Sequence, residues 1–156
     1  MVIRPYRESD RGWVKEVISA EFGGPLQARR GELIDVLALP GLVAEQDGQP
    51  VGILTYRREE GACELAFIAA LERHRGIGSA LLDALRREVA DCERIWLVTT
   101  NDNLDAVRFY QRRGWEWIAF HRDAITEGRR LKPELPQIGD NGIEIRHELE
   151  FEAPRT

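Results

Sequence analysis

Residues 73–82 read RHRGIGSALL, and the reading of that stretch decides the fold. Arg73, His74 and Arg75 precede Gly76 and Gly78, and Ile77, Leu81, Leu82, Leu85 and Val89 then recur at helical spacing. A helix therefore opens with side-chain-free residues at its mouth. Its first turn leaves backbone N–H groups without intrahelical partners, and the helix dipole adds partial positive charge. An anion bound there satisfies both. Gly76 and Gly78 allow close approach to the amides, Arg73 and Arg75 supply charge, and Ser79 offers a hydroxyl. Taken alone, the glycines fit a plain strand-to-helix turn equally well. The standard nucleotide patterns do not fit: GxGxxG would need glycine at position 81, where Leu81 stands, and no Gly-Lys-Ser/Thr tripeptide occurs.

Upstream of this helix, Val2 to Tyr6 reads as a strand, followed by a helix capped by Ser9 with Trp13, Val17, Ile18 and Phe22 on its apolar face. Leu26, Leu33, Ile34 and Leu37 suggest a second helix that stops near Pro40. Asp47-Gly48 then separates two runs as in a hairpin, and ACELAFIAA (62–70) gives a third strand. Downstream, RIWLVTT (94–100) reads as a buried strand and NLDAVRFYQRRG as a short helix with Gly114 at its C-terminal end. WEWIAF follows as a strand. Residues 122–142 form a polar excursion of the kind that is often functional. GIEIRHELEFE closes the chain with Ile143, Ile145, His147, Leu149 and Phe151 on one face, and its edge is a place where a second chain could pair. The sum is a single α/β (α+β) domain over residues 1–156, with about seven strands and about four helices.

The composition narrows the function. Of 156 residues, 43% are hydrophobic and 31% charged, enough for a core and a polar surface, and the net charge of -5 argues against a general nucleic-acid binder. Cys63 and Cys92 lack metal-site spacing, so no metal is expected. The first residues carry no signal-like apolar segment, and no run approaches the roughly 20 apolar residues of a membrane span. The expectation is a cytoplasmic protein without a membrane partner.

Two motifs carry a resemblance. Arg73-x-x-Gly76-x-Gly78 is similar to the Q/R-x-x-G-x-G/A pyrophosphate loop of the GCN5-related N-acetyltransferases (GNAT). Asn103-x-x-Ala106-x-x-Phe109-Tyr110-x-x-x-Gly114-Trp115 resembles that family's N-x-x-A-x-x-F-Y-x-x-x-G-F segment, with Trp115 in place of the usual Phe. The order of elements from about residue 2 to 121 also looks like that family, and the final strand fits. The resemblance implies the GNAT fold, a mixed central sheet splayed between its fourth and fifth strands. It implies acetyl-CoA as acyl donor, with the diphosphate on residues 73–79, Ile77 included, and the pantetheine arm along Phe67, Ile68, Ala69 and Ala70. Asn103, Ala106 and Phe109 belong to the same coenzyme site; for Asn103, helix capping is a competing explanation.

The chemistry implied is attack of an amine on a thioester. An alkyl ammonium with a pKa near ~10.4 must first lose a proton, and Glu64 is the candidate base. Pairing of Glu64 with an arginine is the competing reading. Tyr110 is the candidate acid for the leaving sulfur, with a backbone N–H near Ile68 for the oxyanion. Acceptor choice falls to residues 20–32 and 122–142, where Asp123, Glu127, Glu134 and Asp140 mix with Arg129, Arg130 and Lys132 and decide no substrate. The leading expectation is an N-acetyltransferase acting on a primary amine of a small molecule, peptide or protein. A non-catalytic acyl-CoA-binding or sensor module is the alternative, and a nucleotide-binding α/β domain a third. Many relatives are dimers, so a homodimer is the default.

Overall fold

The computed structural model describes residues 1–22, 24–71 and 76–155, with the side chains of 20–22 left aside. In chain order the elements are β1 (Val2–Pro5), α1 (Arg11–Phe22), β2 (Leu26–Arg29), β3 (Glu32–Asp35), β4 (Gly41–Gln46), β5 (Gln49–Glu59), β6 (Ala62–Ala70), α2 (Ile77–Glu88), β7 (Arg94–Thr100), α3 (Leu104–Arg112), β8 (Glu116–His121), α4 (Ala124–Gly128) and β9 (Glu148–Glu152). They divide into two compact units. One comprises Met1–Pro25 with Asp35–Ile95, the other Leu26–Ile34 with Trp96–Thr156. Seven sheet strands and four α-helices make the fold class mixed α/β, as expected.

In the first unit, β1, β4, β5 and β6 lie side by side in that order, all antiparallel. Val43, Ile53 and Leu54 of this sheet and Leu81, Leu85 and Val89 of the α2 segment are at most 1% exposed, so the apolar stripe read from the sequence is the buried one. α2 is seated by Gly52 on β5. A Cβ at that position would stand 2.6 Å from Ile77 Cγ2 and 3.1 Å from Leu81 Cδ1; only glycine lets the first turns of α2 lie this close. α1 is entered through a short 3-10 turn at Glu8–Asp10. The expected cap, Ser9, lies inside that turn; Arg7 is the N-cap, and the Asp10 carboxylate three residues on reaches back to accept from the Arg7 N–H at 2.8 Å and is held by the Arg4 guanidinium at 2.7 and 2.8 Å.

The helix expected over residues 26–37 is not formed. Leu26–Arg29 and Glu32–Asp35 are strands β2 and β3 of a two-stranded ribbon, followed by a 3-10 turn at Val36–Ala38. Arg30 and Gly31 between them have φ of 47° and 77°, the positive pair of a two-residue hairpin turn. That turn reverses the chain where a helix would have continued. The helix count is restored by α4 inside the 122–142 excursion.

In the second unit the strand order is β7-β9-β8, antiparallel throughout. The closing strand is therefore internal, flanked on both edges; the expectation of a free edge there is corrected, and β8 ends the row. RIWLVTT, expected to be buried, is half-buried apart from Leu97. Both cysteines are free thiols, and burial pushes the Cys63 thiol up to about 12. No described helix is long and apolar enough to cross a membrane.

Candidate active site

The first unit carries one set of site residues on the β6–α2 segment. Within β6, Thr55 and Tyr56 of β5 face Phe67 and Leu65, which leaves Ala66 as an extra residue on β6. This is a β-bulge, a feature that bends a strand and re-aims its following residues. Phe67, Ile68, Ala69 and Ala70, the expected pantetheine strand, lie immediately after it. Phe67 and Ala69 are buried and Ile68 and Ala70 half-buried. Glu64 precedes the bulge. It is 2% exposed, and its Oε1 accepts from Arg57 Nη2 at 2.9 Å across the β5–β6 pair. The pairing with an arginine weighed from sequence is thus present, and it supplies the partner that a buried carboxylate requires.

Arg73, His74 and Arg75 lie outside the described residues. Gly76 does not. It is the N-cap of α2, with φ of 73° and no side-chain cap, and a Cβ built on it would meet nothing within 4 Å. Gly76 thus opens α2 as a left-handed N-cap with open space where a side chain would stand, and a helix N-terminus is a place where anions bind. Ile77 turns its side chain into the core (2% exposed), so it can serve a ligand only through its N–H. Gly78 and Ser79 occupy the same turn, half-buried.

The second unit carries the other set on α3. Asn103 Oδ1 accepts from the Ala106 N–H at 3.1 Å, and its Nδ2 donates to Thr99 Oγ1 at 3.2 Å. Capping is therefore its observed role. Ala106 and Phe109 are half-buried, and the Phe109 ring is covered by the Arg113 guanidinium at 3.6 Å. Tyr110 is 5% exposed. Its ring meets those of Phe109 and Trp115 at 5.1 Å and Phe151 at 6.0 Å, so Trp115 fills the place of the family's Phe by packing on the tyrosine. The hydroxyl makes no hydrogen bond with a described residue. Burial pushes the phenol well above its ordinary range, opposed only by Arg113; it stays protonated at neutral pH, as a proton donor must.

His147 is half-buried beside Phe120, and its Nδ1 accepts from the Asp123 N–H at 2.9 Å, which pins the start of α4. Among the charges of the excursion, most are spent internally. Arg129 donates to the carbonyls of Pro136 and Ile145, each at 2.7 Å; buried Lys132 donates to Leu26 O at 2.7 Å; Asp123 pairs with Arg146 at 2.9 Å.

Sequence reasoning missed a second cluster in this unit. A pocket of about 680 Å³ is lined by Arg30, Phe120, His121, Glu127, Arg130 and Glu148 among others. Glu148 is 2% and Glu150 7% exposed. Glu148 Oε1 accepts from the Arg30 N–H at 3.1 Å, and Glu150 Oε1 lies 2.7 Å from Arg30 Nη1 and 2.9 Å from His121 Nε2. The signal was available: Glu148, Glu150 and Glu152 alternate along the strand and so share one face. Among the described residues, no group of three or more His, Cys, Asp or Glu is placed to hold a metal.

Residues 14–115 match the model of the acetyltransferase (GNAT) family. The uncharacterised protein YdhI of Bacillus subtilis is 35% identical over 154 residues, covering 97% of this chain and 96% of that protein. Many solved structures share the fold. Smu.2055 of Streptococcus mutans has a TM-score of 0.72 at 22% identity, covering 97% of this chain and 98% of that one. A Bacillus subtilis acetyltransferase in complex with CoA has a TM-score of 0.69 at 17% identity, covering 99% and 98%. With a family model matched over most of its length and a relative 35% identical across nearly all of it, the chain belongs to the acetyltransferase (GNAT) family.

Proposed function

We propose that residues 1–156 work as one cytoplasmic N-acetyltransferase domain, moving an acetyl group from acetyl-CoA to a primary amine of a small molecule, peptide or protein within a ternary complex. The observation that carries this reading is Gly76, a left-handed N-cap with open space above it at the head of α2, in a chain of this family. The diphosphate would lie on the N–H groups at the start of α2, with Arg73 and Arg75 supplying charge. The pantetheine arm would follow Phe67–Ala70 after the bulge, where the family's sheet splays between its fourth and fifth strands. In the transfer step the amine nitrogen forms a bond to the thioester carbonyl carbon and the C–S bond breaks. Glu64 receives the ammonium proton, directly or through water, an N–H near Ile68 stabilises the oxyanion, and Tyr110 protonates the departing sulfur. The products are an amide, a thiol and, in net, one proton. A homodimer belongs to the same reading, with β8 as the available sheet edge.

The experiment is thiol release from acetyl-CoA across a panel of primary amines. The parent protein should release thiol with at least one amine. Tyr110→Phe should slow that release by about 10²- to 10⁴-fold, the usual contribution of a positioned acid, while binding CoA as tightly as the parent. A Tyr110→Phe variant as fast as the parent removes Tyr110 from its role. CoA binding without thiol release from any amine moves the protein to the non-catalytic reading.

A further inference from the structure

The pocket of the second unit contains a carboxylate oxygen with nothing to hold. Glu148 is 2% exposed and lines the pocket. Its Oε1 is taken by the Arg30 N–H; its other oxygen makes no hydrogen bond with a described residue. The neighbouring cation does not serve it, because the Arg30 guanidinium is committed to Glu150 and stacked over the Trp96 ring at 5.8 Å. An ionised carboxylate this deep needs a partner. Burial accordingly pushes the Glu148 carboxyl up from its ordinary range, opposed by the Arg30 N–H and by the charges of Arg30, His121 and Arg29.

The exposed part of the lining carries Arg122 and Arg130 against the single carboxylate of Glu127, and so is basic on balance. Arg122 and Arg130 are exposed, line the same pocket and form no ion pair with a described residue. Arg129 and Lys132, neighbours of this pair in the sequence, are engaged on backbone carbonyls. The walls between floor and mouth include Phe120, Ala124 and Leu131. A volume of about 680 Å³ falls in the range of small-molecule sites. The frame is set by α4 against the ribbon: a Cβ on Gly128 would touch the Ala28 Cβ at 3.7 Å, and Lys132 ties the chain after α4 to β2.

We infer that this pocket holds a zwitterionic ligand, an amino acid whose ammonium group is received by Glu148 and whose carboxylate is met by Arg122 and Arg130. The inference goes beyond the acetyl-transfer reading and assigns the pocket a ligand in its own right. A buried anion at the floor selects the ammonium, and two unpaired guanidinium groups at the mouth select the carboxylate. A plain alkylamine would leave the arginine pair unused. A peptide would carry an amide where the pocket offers guanidinium groups.

The test is calorimetric binding to the CoA-loaded protein, which does not depend on turnover. The probes are the common L-amino acids, the amines formed by their decarboxylation, and the corresponding amino-acid amides. At least one amino acid should bind about 10- to 100-fold more tightly than its decarboxylated and amidated counterparts, the range of one charge-assisted contact. Glu148→Gln should weaken that amino acid by about 30-fold or more. An Arg122→Gln/Arg130→Gln double variant should collapse the ratio between acid and amide toward one. Equal or tighter binding of the amine or the amide overturns the inference, as does binding of no amino acid, or an unchanged ratio in the arginine variant. Thiol release is then measured with the same probes. Its outcome decides the transfer reading alone, whereas the pocket assignment stands or falls on the binding ratios.

Discussion

Replacing Gly52 by alanine tests how α2 is held. The added Cβ would stand 2.6 Å from Ile77 Cγ2 and 3.1 Å from Leu81 Cδ1, with the Ala69 carbonyl at 3.4 Å. Ordinary contact between carbons begins near about 3.5 Å, so the first turn of α2 must retreat by almost 1 Å or Ile77 must leave its rotamer. Neither is easy, since Ile77 is 2% and Leu81 0% exposed. Overpacking of this kind costs about 1–3 kcal/mol, which lowers the melting temperature of a chain this size by roughly 2–12 °C. The displaced residue adjoins Gly76, so CoA affinity should fall as well, by about 5- to 30-fold if the lost hydrogen bonding amounts to about 1–2 kcal/mol. Urea unfolding and CoA calorimetry read the two effects. Ile77→Ala removes the clashing methyl, so the double variant should be less destabilised than the sum of the single ones. A Gly52→Ala protein that unfolds at the parental midpoint and binds CoA normally would refute the seating of α2 on Gly52, as would strict additivity with Ile77→Ala.

Two further outcomes follow from the buried carboxylates. Glu64→Gln should depress the amine-dependent rate while CoA affinity holds; a loss of stability alone, with the rate intact, makes the Arg57 pair purely structural. Glu148→Gln should gain stability relative to the parent as pH rises from 4 to 7. The folded-state value of Glu148 is raised by burial, so the parent's penalty is absent below the unfolded carboxyl range and complete above the folded one. Denaturant midpoints at the two pH values check the sign, and a difference that shrinks with pH contradicts it.

Much of this was legible in the sequence because local signals agreed with the tertiary result. The α2 stripe from Ile77 to Val89 is both periodic and buried, and Asp47-Gly48 makes the turn its residue types favour. Asn103 caps α3, and Gly114 follows it at φ of 83°. The ribbon β2–β3 was not legible. Leu26, Leu33, Ile34 and Leu37 fall at spacings a helix would use, and the reversal turns on Arg30, a residue that enters positive φ only at a cost. Its backbone N–H and its guanidinium both find glutamates on β9, 118 and 120 residues away; contacts so distant leave no trace in a short window. The same partnership hid Glu148. Carboxylates in a strand read as a solvated face, and only the fold shows that Arg30 and His121 lie over them.

The clasp at the head of α2 is tested most directly by calorimetric titration of CoA against the parent protein, Gly76→Ala and Gly76→Val. Both substitutions place an L side chain at φ of 73°, at a cost of about 1–2 kcal/mol in stability, but they differ in how far they reach into the open space above the N-cap. The account predicts that the parent binds CoA, that alanine weakens it and that valine weakens it further, by at least about tenfold against alanine, with valine, β-branched at positive φ, also the less stable of the two. A parent that does not bind CoA, or a valine variant that binds as the parent does, would contradict it.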